Sequence, residues 1–166
     1  IALGSVDKVG VGVNDAVQGA AAMLFAAGIA ARTRGQVLWC LTRPDLFAPA
    51  LAQAGLSPGS VIYVEAGDEK SLLLCFEAWL RHGGLGAVVS EVARLPMTVS
   101  RRLQLAAEAG GTLGLAVRRF RSRAEADAFT LPSAAVTRWR VSVRPSVPLP
   151  VPGVGRARWL LELTRC

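Results

Sequence analysis

An arginine-rich segment in the second half of the chain has the residue types and spacing of a polyanion-binding site. In the sequence RRFRSR, Arg118, Arg119, Arg121 and Arg123 surround Phe120. Guanidinium groups bind phosphates through forked hydrogen bonds, and an aromatic ring offers a face on which a nucleobase stacks. These residue types fit phosphate contact and base stacking, as on a DNA-binding or partner-binding surface. The alternative is a solvated loop with one apolar anchor.

A second pair of arginines, Arg101 and Arg102, stands at the start of a predicted helix. Positive charge is unfavourable there because the helix dipole is itself positive at the N-terminus. An external anion or an acidic partner would compensate for this repulsion. Both residues are therefore added to the predicted DNA-binding or partner-binding set.

Other kinds of catalytic site lack the residues they need. His82 is the only histidine, which excludes a histidine relay and a multi-histidine metal site. Cys40, Cys75 and Cys166 have no metal-type spacing and are interpreted as free thiols of a reducing cytoplasm. No Gly-Lys-Ser or Gly-Lys-Thr occurs, so the core of a phosphate-binding loop is missing. We expect neither enzymatic activity nor a cofactor nor a bound metal.

The positive charge is concentrated in the second half of the chain. The formal net charge is +7, and from residue 94 onward thirteen arginines face only four acidic residues. This distribution favours nucleic acid or an acidic protein surface as partner, with a merely solvated face as the alternative. The most apolar run, residues 20–31, is shorter than the roughly 20 residues that cross a bilayer. With no signal-peptide pattern either, we expect no membrane partner and a cytoplasmic location.

Apolar periodicity predicts that an α/β core positions these residues. The predicted helices are 17–32, 46–55, 69–82 and 101–109, and the predicted strands are 36–41, 60–66, 85–92 and 112–117. Asp68 is a favourable N-cap for the third helix, and Thr98 or Ser100 for the fourth. The alternation is typical of a parallel sheet flanked by helices.

The remainder of the chain has a different pattern. Residues 118–135 are predicted to form a basic loop, and residues 136–143 and 156–163 alternate like strands. The proline-rich connector RPSVPLPVPGVG between these strands cannot join a central ladder, so we predict an antiparallel hairpin at the sheet edge. Residues 1–166 would then be one domain, with a core over 1–117 and the hairpin over 136–166. The four tryptophans are expected in the core.

Three segments, SRRLQLAAEAG, TRWRV and GRARWLLEL, carry a resemblance to a known family. Together with the Ala-rich first helix and the strand VLWC, they resemble the ImuA family, the RecA-like accessory proteins of bacterial damage-induced mutagenesis. The resemblance covers nearly the whole chain, except about the first ten residues. It implies a RecA-like core, that is, a degenerate relative of the P-loop NTPases.

The resemblance also implies where ATPase residues would stand. The phosphate-loop position falls on Gln18 and Gly19, the metal-binding corner on Ser90 and Glu91, and the water-activating position on Arg43. The sensor position falls on the arginines that follow the fourth strand. None of these is the residue that hydrolysis requires. Two alternatives stay open: weak anion binding at the helix N-terminus near Gln18, and a retained metal corner at Ser90 and Glu91.

The implied function is a non-catalytic adaptor in SOS-induced translesion DNA synthesis. Its implied partners are a Y-family-like polymerase homologue and an error-prone replicative-type DNA polymerase, with RecA and single-stranded DNA as further candidates. One alternative is a SulA-like cell-division inhibitor, also a degenerate RecA relative, that binds a tubulin-like GTPase. Another is a nucleotide-dependent ATPase whose phosphate loop is unrecognised.

Overall fold

A computed structural model describes residues 6–11, 16–118, 132–153 and 155–165 of the chain. Strands and helices alternate along most of it. Their bounds are β1 Val6–Val11, α1 Ala16–Ala30, β2 Val37–Leu41, α2 Ala48–Gln53, a 3-10 turn Pro58–Ser60, β3 Val61–Glu65, α3 Glu69–His82, β4 Ala87–Glu91, α4 Met97–Gly110, β5 Leu113–Arg118, β6 Thr137–Arg144 and β7 Arg158–Arg165.

The described strands form one seven-stranded sheet in the order β3-β2-β4-β5-β1-β6-β7. All neighbouring strands are parallel except β6 and β7, which pair antiparallel at one edge. The predicted α/β class is therefore confirmed, as is the C-terminal hairpin at the sheet edge. The hairpin joins the core because β6 pairs in parallel with β1.

Two apolar clusters cover the two faces of the sheet. On the first face, α1 and α2 pack against Val37, Trp39, Leu41 and their neighbours. On the second face, α3 and α4 pack against Leu38, Cys40 and Val88. Successive strand residues point to opposite faces, so an uninterrupted apolar strand such as β2 fits only a sheet that is covered on both sides.

Local sequence explains where α3 begins and corrects the predicted start of α4. The Asp68 carboxylate accepts the Ser71 amide at 2.8 Å, and this hydrogen bond lowers the pKa of Asp68. For α4 the N-cap is Pro96, and neither Thr98 nor Ser100 caps the helix. Ser100 lies inside the helix, where its hydroxyl donates to the Met97 carbonyl at 2.9 Å. A proline fits the position before α4 because its fixed φ is compatible with the start of a helix.

The ends of α3 and α4 approach each other closely through glycine. A Cβ atom at Gly110 would lie only 1.9 Å from the Leu80 carbonyl oxygen. Gly83, which ends α3, has a φ of 72°, a conformation that favours glycine. This close approach brings together the ends of the two helices that cover the second face of the sheet.

The expectation that all four tryptophans lie in the core is met only in part. Of the tryptophans expected in the core, Trp39 is fully buried but Trp79 is 36% exposed at the surface of α3. Trp139 and Trp159 are half-buried, because each lies on the hairpin, where only α1 covers the first face.

No helix in the described part of the chain is long and apolar enough to cross a membrane.

Candidate functional site

Of the predicted site residues that the structure describes, most lie at one edge of the sheet. Ligands of open parallel sheets bind at the carboxyl ends of the strands, near the point where the strand order reverses. Gln18 and Gly19 lie in the first turns of α1, directly after β1. Ser90 and Glu91 end β4, and Arg118 ends β5. We call this edge the carboxyl edge.

The predicted phosphate-loop position is described only in part. Gly19 is buried within α1, so its backbone belongs to the helix. Residues 12–15, which connect β1 to α1, lie outside the described residues. Weak anion binding near Gln18 therefore stays a prediction.

Ser90 and Glu91 point away from each other. Ser90 pairs with Cys40 and therefore faces the α3 and α4 side, whereas Glu91 pairs with Val117 and faces the α1 side. Ser90 is fully buried, and its hydroxyl has no hydrogen-bond partner among the described residues. Adjacent residues on a strand cannot direct their side chains to one ion. The geometry thus gives no support to a metal corner built from this pair.

Arg118 is a buried residue that holds the loop between β4 and α4. Its exposed fraction is 4%, and its Nε atom donates to the Ala93 carbonyl at 3.1 Å. The same loop is held from α3, because the Glu69 carboxylate accepts the amides of Ala93 at 2.8 Å and Arg94 at 3.4 Å. Arg118 therefore ends β5 as part of the core, and does not begin the basic loop as the sequence suggested.

The other four predicted site residues of the RRFRSR segment lie outside the described residues. These are Arg119, Phe120, Arg121 and Arg123. Their assignment to a DNA-binding or partner-binding surface stays a prediction. The structure contributes one fact about it: Arg118, the first residue of the segment, ends β5 at the carboxyl edge.

Arg101 and Arg102 differ in their surroundings, although they are adjacent. Arg102 forms an ion pair with Glu77 of α3, and Arg81 contacts the same carboxylate at 3.1 Å. Partial burial opposes ionisation of Glu77, but the hydrogen bonds from Arg102 and Arg81 outweigh it and lower its pKa. The charge of Arg102 thus has an internal partner, while Arg101 is exposed.

The start of α4 removes the electrostatic reason for an external anion at this pair. Because α4 begins at Met97, Arg101 and Arg102 lie in its second turn. The dipole effect falls off within the first turn, so the expected repulsion is small. Both arginines are exposed, but Arg102 is already engaged with Glu77.

A polar cluster that sequence reasoning missed fastens the hairpin to α4. The Ser100 hydroxyl accepts the Ala134 amide at 2.9 Å. Arg138 of β6 is 8% exposed and donates to the Ser133 hydroxyl at 3.1 Å, while Arg165 of β7 donates to the Ser133 carbonyl. Burial, followed by the charge of Arg165, lowers the pKa of Arg138.

No sequence signal distinguishes Arg138 from the exposed arginines around it. The alternation in TRWRV suggests that tryptophan points inward and arginine outward. In the structure both faces of β6 are covered at this level. Trp139 packs against Phe25 of α1 with ring centroids 5.7 Å apart, and Arg138 is covered on the opposite face.

The described residues at the carboxyl edge offer a limited chemistry. Ser90 is inaccessible, Glu91 is half-buried and Arg118 is engaged with Ala93. Within the described ranges there is no group of three or more histidine, cysteine or acidic residues that could hold a metal ion.

Comparison with known proteins gives two kinds of similarity. No family model matches the chain. Two curated proteins named Protein ImuA, from two strains of Caulobacter vibrioides, are each 38% identical to it over 143 residues. These matches cover 84% of this chain and 59% of each relative, so the chain spans less than two thirds of their length.

A solved structure supports the fold. The crystal structure of SulA from Pseudomonas aeruginosa superposes with a TM-score of 0.56 and covers 69% of this chain and 97% of that one. The sequences are 20% identical, and at this level the similarity concerns the fold alone. It is independent support for the parallel sheet with helices on both faces.

Proposed function

The chain belongs to the ImuA family, and on that premise we propose that it is a non-catalytic adaptor in DNA-damage-induced mutagenesis. The observation that carries the proposal is the 38% identity over 84% of the chain to the two ImuA proteins. Because the chain spans 59% of their length, the activity and partners of the whole protein are part of the proposal.

The proposed partners are a Y-family-like polymerase homologue and an error-prone replicative-type DNA polymerase, with RecA and single-stranded DNA as further candidates. Their binding surface would lie at the carboxyl edge, where Arg118, the first residue of the RRFRSR segment, ends β5. Support for a protein or nucleic-acid surface comes from the charge, since thirteen of the nineteen basic residues follow residue 93. The proposed location of the complex is the cytoplasm.

The absence of catalysis is supported by the residues that occupy the ATPase positions. Gly-Lys-Ser and Gly-Lys-Thr are missing from the sequence. The metal-binding position carries the neutral, fully buried Ser90, and a hydroxyl in that place does not replace a carboxylate as magnesium ligand. A RecA-like scaffold with these residues would act by binding alone.

Affinity capture tests the partner proposal. A tagged copy of the full-length protein, expressed at its natural level, is purified from cells before and after DNA damage, with crosslinking and mass spectrometry. We expect both polymerase-type proteins after damage, and a fall in damage-induced mutation frequency when the gene is deleted. Recovery of a tubulin-like GTPase instead, with division arrest on overexpression, would establish the SulA-like alternative.

Charge reversal tests the RRFRSR surface. Arg119→Glu, Arg121→Glu and Arg123→Glu together should weaken capture of at least one partner about tenfold or more. Arg118 is left unchanged because it is buried, and Arg101→Glu is the separate test of α4. Unchanged capture by the triple variant would remove this segment from the proposed surface.

Nucleotide turnover tests the absence of catalysis. We expect the purified protein to hydrolyse ATP no faster than buffer, with or without single-stranded DNA. Turnover that disappears in a Gln18→Ala variant would overturn the proposal and establish an unrecognised phosphate loop. Turnover that is equal in wild type and variant would be traced to a contaminant by a second purification step.

A further inference from the structure

Two cysteine side chains from different elements meet in the second core cluster. The Sγ atom of Cys40 in β2 lies 3.5 Å from the Sγ atom of Cys75 in α3, and both thiols are free. The sulfur atoms of a disulfide are about 2.05 Å apart, so bond formation needs an approach of about 1.5 Å. Rotation of the two side chains about their Cα–Cβ bonds can supply an approach of this size.

The two thiols differ in their access to solvent. Cys40 is fully buried, whereas Cys75 is half-buried and packs against the margin of the cluster. A small oxidant therefore reaches Cys75 first. Burial, together with the neighbouring Cys75 thiol, raises the pKa of Cys40, so Cys40 seldom carries the thiolate that reacts with reagents from solution. Cys75 is thus the thiol that an external oxidant attacks, and Cys40 is the neighbour in contact with it.

A buried hydroxyl without a partner lies beside the cysteine pair. Ser90 of β4 is directly opposite Cys40 in the strand register, so their side chains point to the same face of the sheet. The Ser90 Oγ atom is buried and has no hydrogen-bond partner among the described residues. Such a group is rare in a folded core, because its loss of water is not compensated. The hydroxyl is available to donate to the Cys40 sulfur as that sulfur loses its proton.

We propose that Cys40 and Cys75 form a reversible disulfide when the protein meets a hydroperoxide. In the first step the Cys75 sulfur attacks the peroxide, the O–O bond breaks, water or an alcohol leaves, and Cys75 becomes a sulfenic acid. In the second step the Cys40 sulfur attacks the Cys75 sulfur. The S–S bond forms, the S–O bond breaks, and the hydroxyl group leaves as water with the proton of Cys40. The two thiols have then given two electrons to the peroxide.

Contact between the two sulfur atoms allows the second step despite the raised pKa of Cys40. Groups that a fold holds together react at effective concentrations far above those reached in solution. A dithiol reductant reverses the reaction by thiol–disulfide exchange, which begins at the more accessible Cys75 sulfur. Oxidation of the pair is therefore transient, as is usual for disulfides in a reducing compartment.

The disulfide ties α3 to the sheet and closes a loop that includes an edge strand. Cys40 and Cys75 are 35 positions apart, and α2 and β3 lie between them. The strand β3 is the last one at its edge of the sheet. A cross-link over a loop of this length restricts the unfolded chain. We therefore expect the oxidised protein to have a thermal midpoint about 5 °C or more above that of the reduced protein.

Treatment of the purified full chain with hydrogen peroxide, followed by peptide mass mapping without reductant, tests the proposal. We expect a linked pair of peptides that contain Cys40 and Cys75, the higher thermal midpoint, and loss of both on addition of dithiothreitol. Cys40→Ser and Cys75→Ser should each abolish the linked pair. The matched control is Cys166→Ser, which removes a thiol outside the pair and should keep both results.

Trapping of the sulfenic acid separates the two steps. Dimedone labels sulfenic acids, and the Cys40→Ser variant should accumulate the label on Cys75 because it cannot complete the second step. Ser90→Ala should leave the first step unchanged and slow the second about tenfold, as for the loss of a hydrogen bond to a charged group. A change in packing alone would not be confined to the second step, so Ser90 acts as a positioning residue for Cys40.

Several outcomes would overturn the proposal. If wild type gives no linked pair and Cys75 is converted to sulfinic acid, the two thiols are packing residues only. A bond from Cys75 to Cys166 or to a second chain, or an equal yield of the linked pair in urea, would show that the folded geometry does not direct the reaction. An unchanged second step in Ser90→Ala would remove the hydroxyl from the proposal. Failure of polymerase capture would leave all of these results unaffected, since none depends on the proposed role in mutagenesis.

Discussion

Glu69 and Arg118 hold the same residue, Ala93, from opposite sides. The carboxylate of Glu69 accepts the Ala93 amide at 2.8 Å, and the Nε atom of Arg118 donates to the Ala93 carbonyl at 3.1 Å. One side chain comes from the start of α3 and the other from the end of β5. The loop between β4 and α4 is thereby fixed at the carboxyl edge.

A double-mutant cycle should reveal this shared contact as coupling. Glu69→Ala should lower the free energy of unfolding by about 1 kcal/mol, and Arg118→Ala by about 2 kcal/mol because it removes a hydrogen bond made by a charged, buried side chain. The loss of stability in the double variant should differ from the sum of the two single losses by about 0.5 kcal/mol or more. Urea unfolding measures all four proteins. Strict additivity would show that the two contacts are independent.

The ion pairs of Glu77 predict a dependence of stability on pH. Arg102 and Arg81 overcome the effect of partial burial and hold the pKa of Glu77 below its ordinary value of 4.5. A carboxyl with a lowered pKa stabilises the fold above its unfolded pKa and loses this contribution as the pH falls through its folded pKa. Glu77→Gln should therefore cost about 1 kcal/mol at about pH 7, and progressively less as the pH is lowered toward about 3.

Chemical unfolding of wild type and Glu77→Gln between these pH values measures the effect. Both arginines are more than half exposed, at 59% and 58%, which limits the size of the contribution. The control is Glu65→Gln, an exposed glutamate on the edge strand β3, which should change stability by less than about 0.5 kcal/mol. A pH-independent difference between wild type and Glu77→Gln would contradict the prediction.

Gly110 should tolerate no side chain. Gly110→Ala places a Cβ atom 1.9 Å from the Leu80 carbonyl oxygen, so α3 and α4 must move apart. We expect a loss of about 3 kcal/mol or an insoluble protein. Gly59→Ala is the control, because its Cβ would have no atom within 4 Å and the change restricts the unfolded chain. Equal thermal midpoints for both variants would refute the close approach.

Cys40 should be inert toward alkylating reagents in the folded, reduced protein. Burial, and the Cys75 thiol whose Sγ atom lies 3.5 Å away, raise the pKa of Cys40 far above its ordinary value. Alkylation requires the thiolate, so iodoacetamide at about pH 8 should leave Cys40 unmodified until denaturant is added. Peptide mass mapping measures this, with the half-buried Cys75 as internal comparison. Rapid alkylation of Cys40 without denaturant would contradict it.

The regular elements follow from the sequence because their signals are local. The predicted third helix, residues 69–82, coincides with α3, whose N-cap and apolar stripe both occur within one segment. The predicted strands differ from β2 to β7 by at most two residues at each end. The order of the strands in the sheet could not be predicted in this way. It depends on which distant strands pair, and the periodicity within one segment carries no information about that pairing.

The candidate site was harder to predict because burial of a charged side chain depends on its neighbours. Arg118 and Arg119 are indistinguishable as sequence, yet Arg118 is covered because α4 and the β4–α4 loop pass over the end of β5. Arg102 finds Glu77, a residue 25 positions away on another helix. The contact between Cys40 and Cys75 also escaped notice, because these residues are 35 positions apart and meet only where α3 packs on the sheet.

The position of β1 has a consequence for synthesis of the protein. β1, the first of the described strands, lies between β5 and β6, two of the later ones. On a ribosome, the nascent β1 therefore emerges long before either of its hydrogen-bonding neighbours exists. The two halves of the sheet cannot be joined until residues near 140 have left the exit tunnel, and a chaperone that holds the N-terminal segment would bridge that interval.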